Sequence, residues 1–123
     1  MRKIEREMLQ AIVDDRPHWS KDNTRVVLWD GNKDTTHPDH GRKTYRVYLH
    51  GHWIAEYTPS DSSLKVNNCG YETNTTKSRL NVLIDFVCGS DPTKYGIFQK
   101  NWNWWLINDG ELLDFPSNEW IAI

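Results

Sequence analysis

The 123-residue chain is 37% apolar and 26% charged, with a formal net charge of −2. That balance gives no bulk attraction to nucleic acid or to a membrane surface, and no apolar run approaches the ~20 residues of a membrane-spanning helix. A low apolar content with little net charge and 12% aromatic residues describes a folded chain in which large rings supply core volume, and the length suits one domain, residues 1–123.

Residues 2–15 read as an amphipathic helix. Ile4, Met8, Ala11, Ile12 and Asp15 share one stripe, all but the last apolar, Glu5 and Glu7 belong to the polar side, and Pro17 stops the helix. Residues 24–30 are β-branched and aromatic and end at Gly31-Asn32, and residues 31–43 have the Gly, Asn, Asp and Pro content of a long surface loop. The clearest β signal is Thr44 to His50, with Tyr45, Val47 and Leu49 on one face and Arg46, Tyr48 and His50 on the other. Gly51 marks a tight turn. Trp53 to Thr58 returns with Trp53, Ala55 and Tyr57 on one face, and Pro59-Ser60-Asp61 turns the chain into a short strand suggested by Leu64, Val66 and Asn68.

A second helix is predicted over residues 76–88, where Leu80, Leu83, Ile84 and Val87 fall at i, i+3, i+4 and i+7 and Val82 and Phe86 widen the stripe. Thr75 or Thr76 is the expected cap, and Gly89 follows the last turn. Strands are expected at 95–99, 102–107, 112–115 and 120–123, with Asn108-Asp109-Gly110 as a turn. This order predicts an α+β fold, a mostly antiparallel twisted meander with the N-terminal helix and the central helix packed on one face.

Motifs for chemistry are sparse. His37, His40, His50 and His52 with Asp39 have short spacings that suit zinc, but no cysteine pair accompanies them, and a polar loop beside a hairpin tip explains them as well. Cys69 and Cys88 are too few for a disulfide framework and read as free thiols of a cytosolic protein. There is no nucleophile elbow and no Gly-rich phosphate loop. No catalytic residue, metal or cofactor is assigned, and an enzyme is the weakest reading.

Two features point to binding. The start of the second helix, Thr73 to Arg79, surrounds unpaired first-turn amides with hydroxyls and cations, so Thr76, Lys77 and Arg79, with Arg46, are candidate anion or nucleic-acid contacts. Ordinary threonine capping is the competing explanation. The second feature is seven tryptophans. Most are expected in the core and one or two on the surface. A sheet covered on one side leaves its other face open, and Tyr48, Trp53, Trp102, Trp104 and Trp105 are the candidate protein-binding rings.

The segments Val47-Tyr48-Leu49-His50-Gly51-His52-Trp53-Ile54-Ala55 and Gly70-Tyr71-Glu72-Thr73-Asn74-Thr75-Thr76-Lys77-Ser78-Arg79-Leu80-Asn81 resemble a small family of accessory proteins from short-tailed phages, with an LHG-x-x-IA hairpin and a TTKSRLN helix start. The resemblance covers residues 44–108. The chain has His52 where the family pattern has Asn and Tyr71 where it has Trp. It implies a phage origin and the cytoplasm of a host bacterium. With no catalytic motif, it suggests a non-enzymatic factor that binds and modulates a host protein. The alternative is nucleic-acid binding through a basic stripe of Arg42, Lys43, Arg46, Lys77, Arg79, Lys94 and Lys100. A homodimer and nucleic acid are further partners the sequence leaves open, and no membrane partner is expected.

Overall fold

The computed structural model describes residues 1–29, 36 and 42–123. Helix α1 (Lys3–Val13) leads into a hairpin of β1 (His18–Lys21) and β2 (Thr24–Trp29). Strands β3 (Thr44–Leu49) and β4 (His52–Thr58) form the next hairpin, and a 3₁₀ turn at Pro59–Asp61 introduces β5 (Ser63–Val66). Helix α2 (Asn74–Cys88) follows, then β6 (Tyr95–Lys100), β7 (Asn103–Asn108), β8 (Glu111–Asp114) and β9 (Ile121–Ala122).

The α+β class and the antiparallel meander are as expected. The strands divide into two sheets, however. One is six-stranded in the order β1-β2-β3-β4-β5-β9, and the other is β6-β7-β8. All pairs are antiparallel. Helix α2 packs on β6 of the small sheet and on β5 of the large one, which explains why Leu80, Val82, Leu83 and Ile84 are all buried. A helix between two sheets buries more than one stripe.

Strand β1 is the element the sequence reading lacks. Its Trp19 pairs with Val26 and is buried, while His18 and Ser20 are exposed, the alternation of a half-buried strand. The two-residue turn Asp22-Asn23, with Asp22 at φ 51°, closes the hairpin. Helix α1 stops two residues earlier than expected, because Asp15 takes a left-handed conformation at φ 53°. There Asp15 accepts a hydrogen bond from the Tyr45 hydroxyl and pairs with Lys43.

Register sorts the large sheet into two faces. Val26, Val47, Ala55 and Val66 align across the strands on the side of the helices and are buried. Arg25, Arg46, Tyr48, Glu56 and Lys65 alternate with them and take the opposite side. Between β3 and β4 the register slips: Val47 pairs with Ala55, but Tyr48 pairs with Trp53. Ile54 is the extra residue of a β-bulge. The expected alternation placed Trp53 on the side of Ala55 and Tyr57; the bulge returns it to the side of Tyr48.

Glu5 corrects the reading of α1. It is buried, 1% exposed, against Arg79 of α2, with Arg79 Nη1 donating to Glu5 Oε2 at 2.8 Å. Ser78 Oγ donates to the same oxygen at 2.6 Å, and the Arg2 amide donates to Oε1 at 3.2 Å. Arg79 also donates to Thr24 Oγ1 at 3.1 Å and Asn23 Oδ1 at 3.4 Å. Burial alone would raise the Glu5 carboxyl, but the hydrogen bonds from Ser78, Arg79 and Arg2 and the arginine charge more than offset it, so its pKa lies below the ordinary value.

Asn81 makes the other polar joint. Its Nδ2 donates to the Ile97 carbonyl at 2.9 Å and its Oδ1 accepts from the Ile97 amide at 2.7 Å. One side chain thus pairs with the β6 backbone as a neighbouring strand would, and fixes α2 to the small sheet.

Breaking the buried pair from one side leaves an uncompensated charge, so Glu5→Gln and Arg79→Met should each cost about 3–5 kcal/mol. The double variant Glu5→Gln/Arg79→Met should lose clearly less than the sum. A lowered folded-state pKa stabilises the fold above the ordinary carboxylate range, and that contribution is lost as pH falls through the folded value. Urea denaturation at a series of pH values should therefore show an acid loss in the wild type that is reduced in Glu5→Gln.

Candidate functional site

The side of the large sheet away from the helices carries a row of rings and cations. Register places Arg25 of β2, Tyr48 of β3 and Trp53 of β4 side by side. The Arg25 guanidinium lies 4.4 Å from the Tyr48 ring centroid. Trp120, just before β9, meets Trp53 edge-on at 4.8 Å between centroids. One row above, Arg46 pairs across the strands with Glu56. Its guanidinium sits 4.9 Å from the Trp53 centroid and 5.9 Å from that of Trp29 at the end of β2. Each such contact at a surface contributes about 0.5–1 kcal/mol, so the row is ordered without being rigid.

Arg46 is the centre of this arrangement. Its Nε is shielded from solvent, makes no hydrogen bond, and lies 3.8 Å from Glu56 Oε1. The rings hold the guanidinium and no carboxylate saturates it. Arg25 and Lys65, on the same side, have no ion pair among the described residues. Next to Arg46, a shallow polar hollow of about 170 Å³ is lined by Trp29, Thr44, Glu56 and Lys65.

A family model described as Kyanoviridae Gp96 protein matches residues 1–122. The chain belongs to that family. It is therefore a phage protein, as the resemblance implied; the match does not speak to tail type. No curated protein and no solved structure is significantly similar to it. Among the described residues, no helix is long and apolar enough to cross a membrane.

The sequence-derived binding residues of this Gp96-family chain separate in three dimensions. Tyr48, Trp53 and Arg46 come together on the open face. Trp102 does not join them: it sits in the β6–β7 turn with φ 67° and is 88% exposed. Trp105 lies on β7, half-buried, with its indole N–H 3.4 Å from the Lys100 carbonyl. Trp104 is only 3% exposed and packs on Phe115 at 5.6 Å, so it belongs to the core. Of the seven tryptophans, only Trp19 and Trp104 are buried, while Trp29, Trp102 and Trp120 are exposed. This reverses the expectation that most fill the interior. Trp29 and Trp120 are the functional candidates the sequence reading missed; Trp29 was visible as the outward residue of a strand, whereas Trp120 reaches the row only through folding of the C-terminal segment.

The anion site expected at the start of α2 changes in the same way. The cap is Thr73, whose Oγ1 accepts from the Thr76 amide at 3.2 Å. Thr76 and Arg79 are buried and committed, Thr76 to Thr73 and Arg79 to Glu5. Lys77, the remaining member of that helix start, is half-buried in the first turn. Nor do the seven cations form a stripe: Arg79 is buried, and Lys94 and Lys100 lie at opposite ends of β6.

The thiols are not poised for nucleophilic chemistry. Burial pushes both Cys69 and Cys88 up, away from the thiolate, and Cys69 Sγ donates to the Trp53 carbonyl at 3.2 Å. His37 and His40 lie outside the described residues. The His52 ring lies against Tyr71, tilted by 31° with 4.4 Å between centroids.

If the open face serves recognition rather than folding, its side chains should be removable. Arg25→Ala, which gives up one such contact, should shift the urea-derived unfolding free energy by no more than about 1 kcal/mol, and Arg46→Ala, which gives up two, by no more than about 2 kcal/mol. Leu64→Ala, on the covered face and fully buried, should cost about 3 kcal/mol.

Proposed function

We propose that this phage protein is a non-enzymatic accessory factor that binds an acidic surface on a host protein in the bacterial cytoplasm and modulates it. The observation that carries the reading is the Arg46 guanidinium, held between Trp29 and Trp53 with no hydrogen-bonded carboxylate of its own. Arginine among tryptophans is the composition of interface hot spots, and a pre-ordered guanidinium engages a carboxylate bidentately. The five strands beside β1, at about 4.8 Å spacing, make a face roughly 20–25 Å wide, the scale of a standard interface of about 800 Å² per partner.

Charge narrows the occupant. The face carries Arg25, Arg46 and Lys65 against Glu56, within a chain whose net charge is −2. An acidic partner complements it, whereas a second copy of the same cationic face repels it. Nucleic acid fits less well. Stacking needs bare ring faces, and Tyr48 stands between Arg25 and Trp53, while Trp53 is met by Arg46 and Trp120.

The test is affinity capture from host lysate, with and without nuclease treatment, using the wild type, Arg25→Glu/Arg46→Glu and Trp102→Ala, followed by titration of the purified captured protein. The reading expects saturable binding that weakens with salt, falls at least about tenfold in the charge-reversed variant and survives Trp102→Ala. Binding that ignores the charge reversal, that nuclease abolishes, or that proves to be self-association would overturn it.

A further inference from the structure

On the helix side of the sheet, between the β3–β4 hairpin and the start of α2, lies a second pocket of about 240 Å³. Leu49 and Ile54 form its apolar floor, and the His52 and Tyr71 rings, tilted 31° to each other, also line it. Thr73, Thr75 and Thr76 bring the first turn of α2 to the opposite side. The lining contains no carboxylate and no lysine or arginine.

Asn68 is the decisive residue. It lines this pocket and is fully buried. Its Oδ1 accepts from the Gly70 amide at 2.9 Å and the Asn118 amide at 2.8 Å. Two backbone donors on that oxygen fix the orientation of the amide group. The Nδ2 is left as a buried donor with no partner, and such a group costs about 1–3 kcal/mol unless something accepts from it. Thr75 adds a first-turn N–H that helix geometry leaves without an intrahelical acceptor, and the amino-terminal end of the helix favours negative charge there.

We propose that this pocket binds a small planar carboxylate, with its acid group on Asn68 Nδ2 and the first turn of α2 and its apolar body on Leu49, Ile54 and the Tyr71 ring. The donors call for an acceptor, and the floor calls for an apolar body. With no lysine or arginine in the lining, only hydrogen-bond donors and the helix amino terminus meet the negative charge, which suits a monoanion better than a phosphate dianion with its larger desolvation cost. This site is separate from the open face and does not rest on the host-protein reading.

The experiment is amide and side-chain NMR titration of the full chain with benzoate, benzyl alcohol and inorganic phosphate as probes. Benzoate should shift the Asn68 side-chain NH₂ and the Thr75 and Thr76 amides saturably, and benzyl alcohol should bind at least about tenfold more weakly. Asn68→Asp keeps an oxygen for Gly70 and Asn118 but replaces the donor with a repelling carboxylate, and should abolish benzoate binding. Tyr71→Ala, at a residue 51% exposed, should weaken binding with the fold unchanged. The proposal fails if benzoate gives no saturable shift in the folded wild type, if Asn68→Asp and Tyr71→Ala both bind it as the wild type does, or if phosphate alone occupies the site.

Discussion

The buried pair of Glu5 and Arg79 is the constraint on which the arrangement of this protein rests. It joins α1 to α2, and through Thr24 and Asn23 it also fixes the β1–β2 turn. The attraction alone does not repay the desolvation of two charges. Ser78, the Arg2 amide and the Thr24 hydroxyl supply the remaining hydrogen bonds that make the burial tolerable. A pair so fully satisfied permits little variation in the relative position of the two helices. The large sheet therefore has one face covered in a defined way and the other left free.

That free face owes its composition to a single inserted residue. Without the bulge at Ile54, Trp53 would point toward the helices and Arg46 would lack the ring that holds it. The same insertion sends Ile54 inward, where it joins Leu49 beneath the pocket at the start of α2. One local irregularity thus shapes both surfaces on which ligands are proposed, consistent with the tendency of bulges to re-aim side chains near functional sites.

The stretch Thr76 to Asn81, which carries the likeness to phage proteins, has an architectural explanation. Thr76 packs under the cap, Ser78 and Arg79 hold Glu5, Leu80 is core, and Asn81 pairs with the β6 backbone. Lys77 is the exception in the run, with no side-chain partner of that kind. A polar motif at a helix start reads naturally as an anion site. Here its polar atoms are used to join two helices and two sheets, and the neighbouring Asn68 supplies the unpartnered donor.

The sequence by itself determined the α+β class, both helices, the β3–β4 hairpin and the faces of Tyr45, Arg46, Val47, Tyr48 and Leu49, because apolar periodicity and turn residues act over a few positions. It also placed Arg46 and Tyr48 on an open face, since one-sided helix packing leaves the other side of a sheet uncovered. The tertiary structure alone decided the rest. Division into two sheets follows from which strands pair, and Asn81 meeting Ile97 joins α2 to the smaller one; burial of Glu5 depends on Arg79, 74 positions away. The fates of the tryptophans followed from a bulge that shifts register by one, from a turn that lifts Trp102 into solvent, and from a final strand that brings Trp120 to Trp53. Each of these is a pairing between distant segments, and the period of a single segment carries no record of its partner.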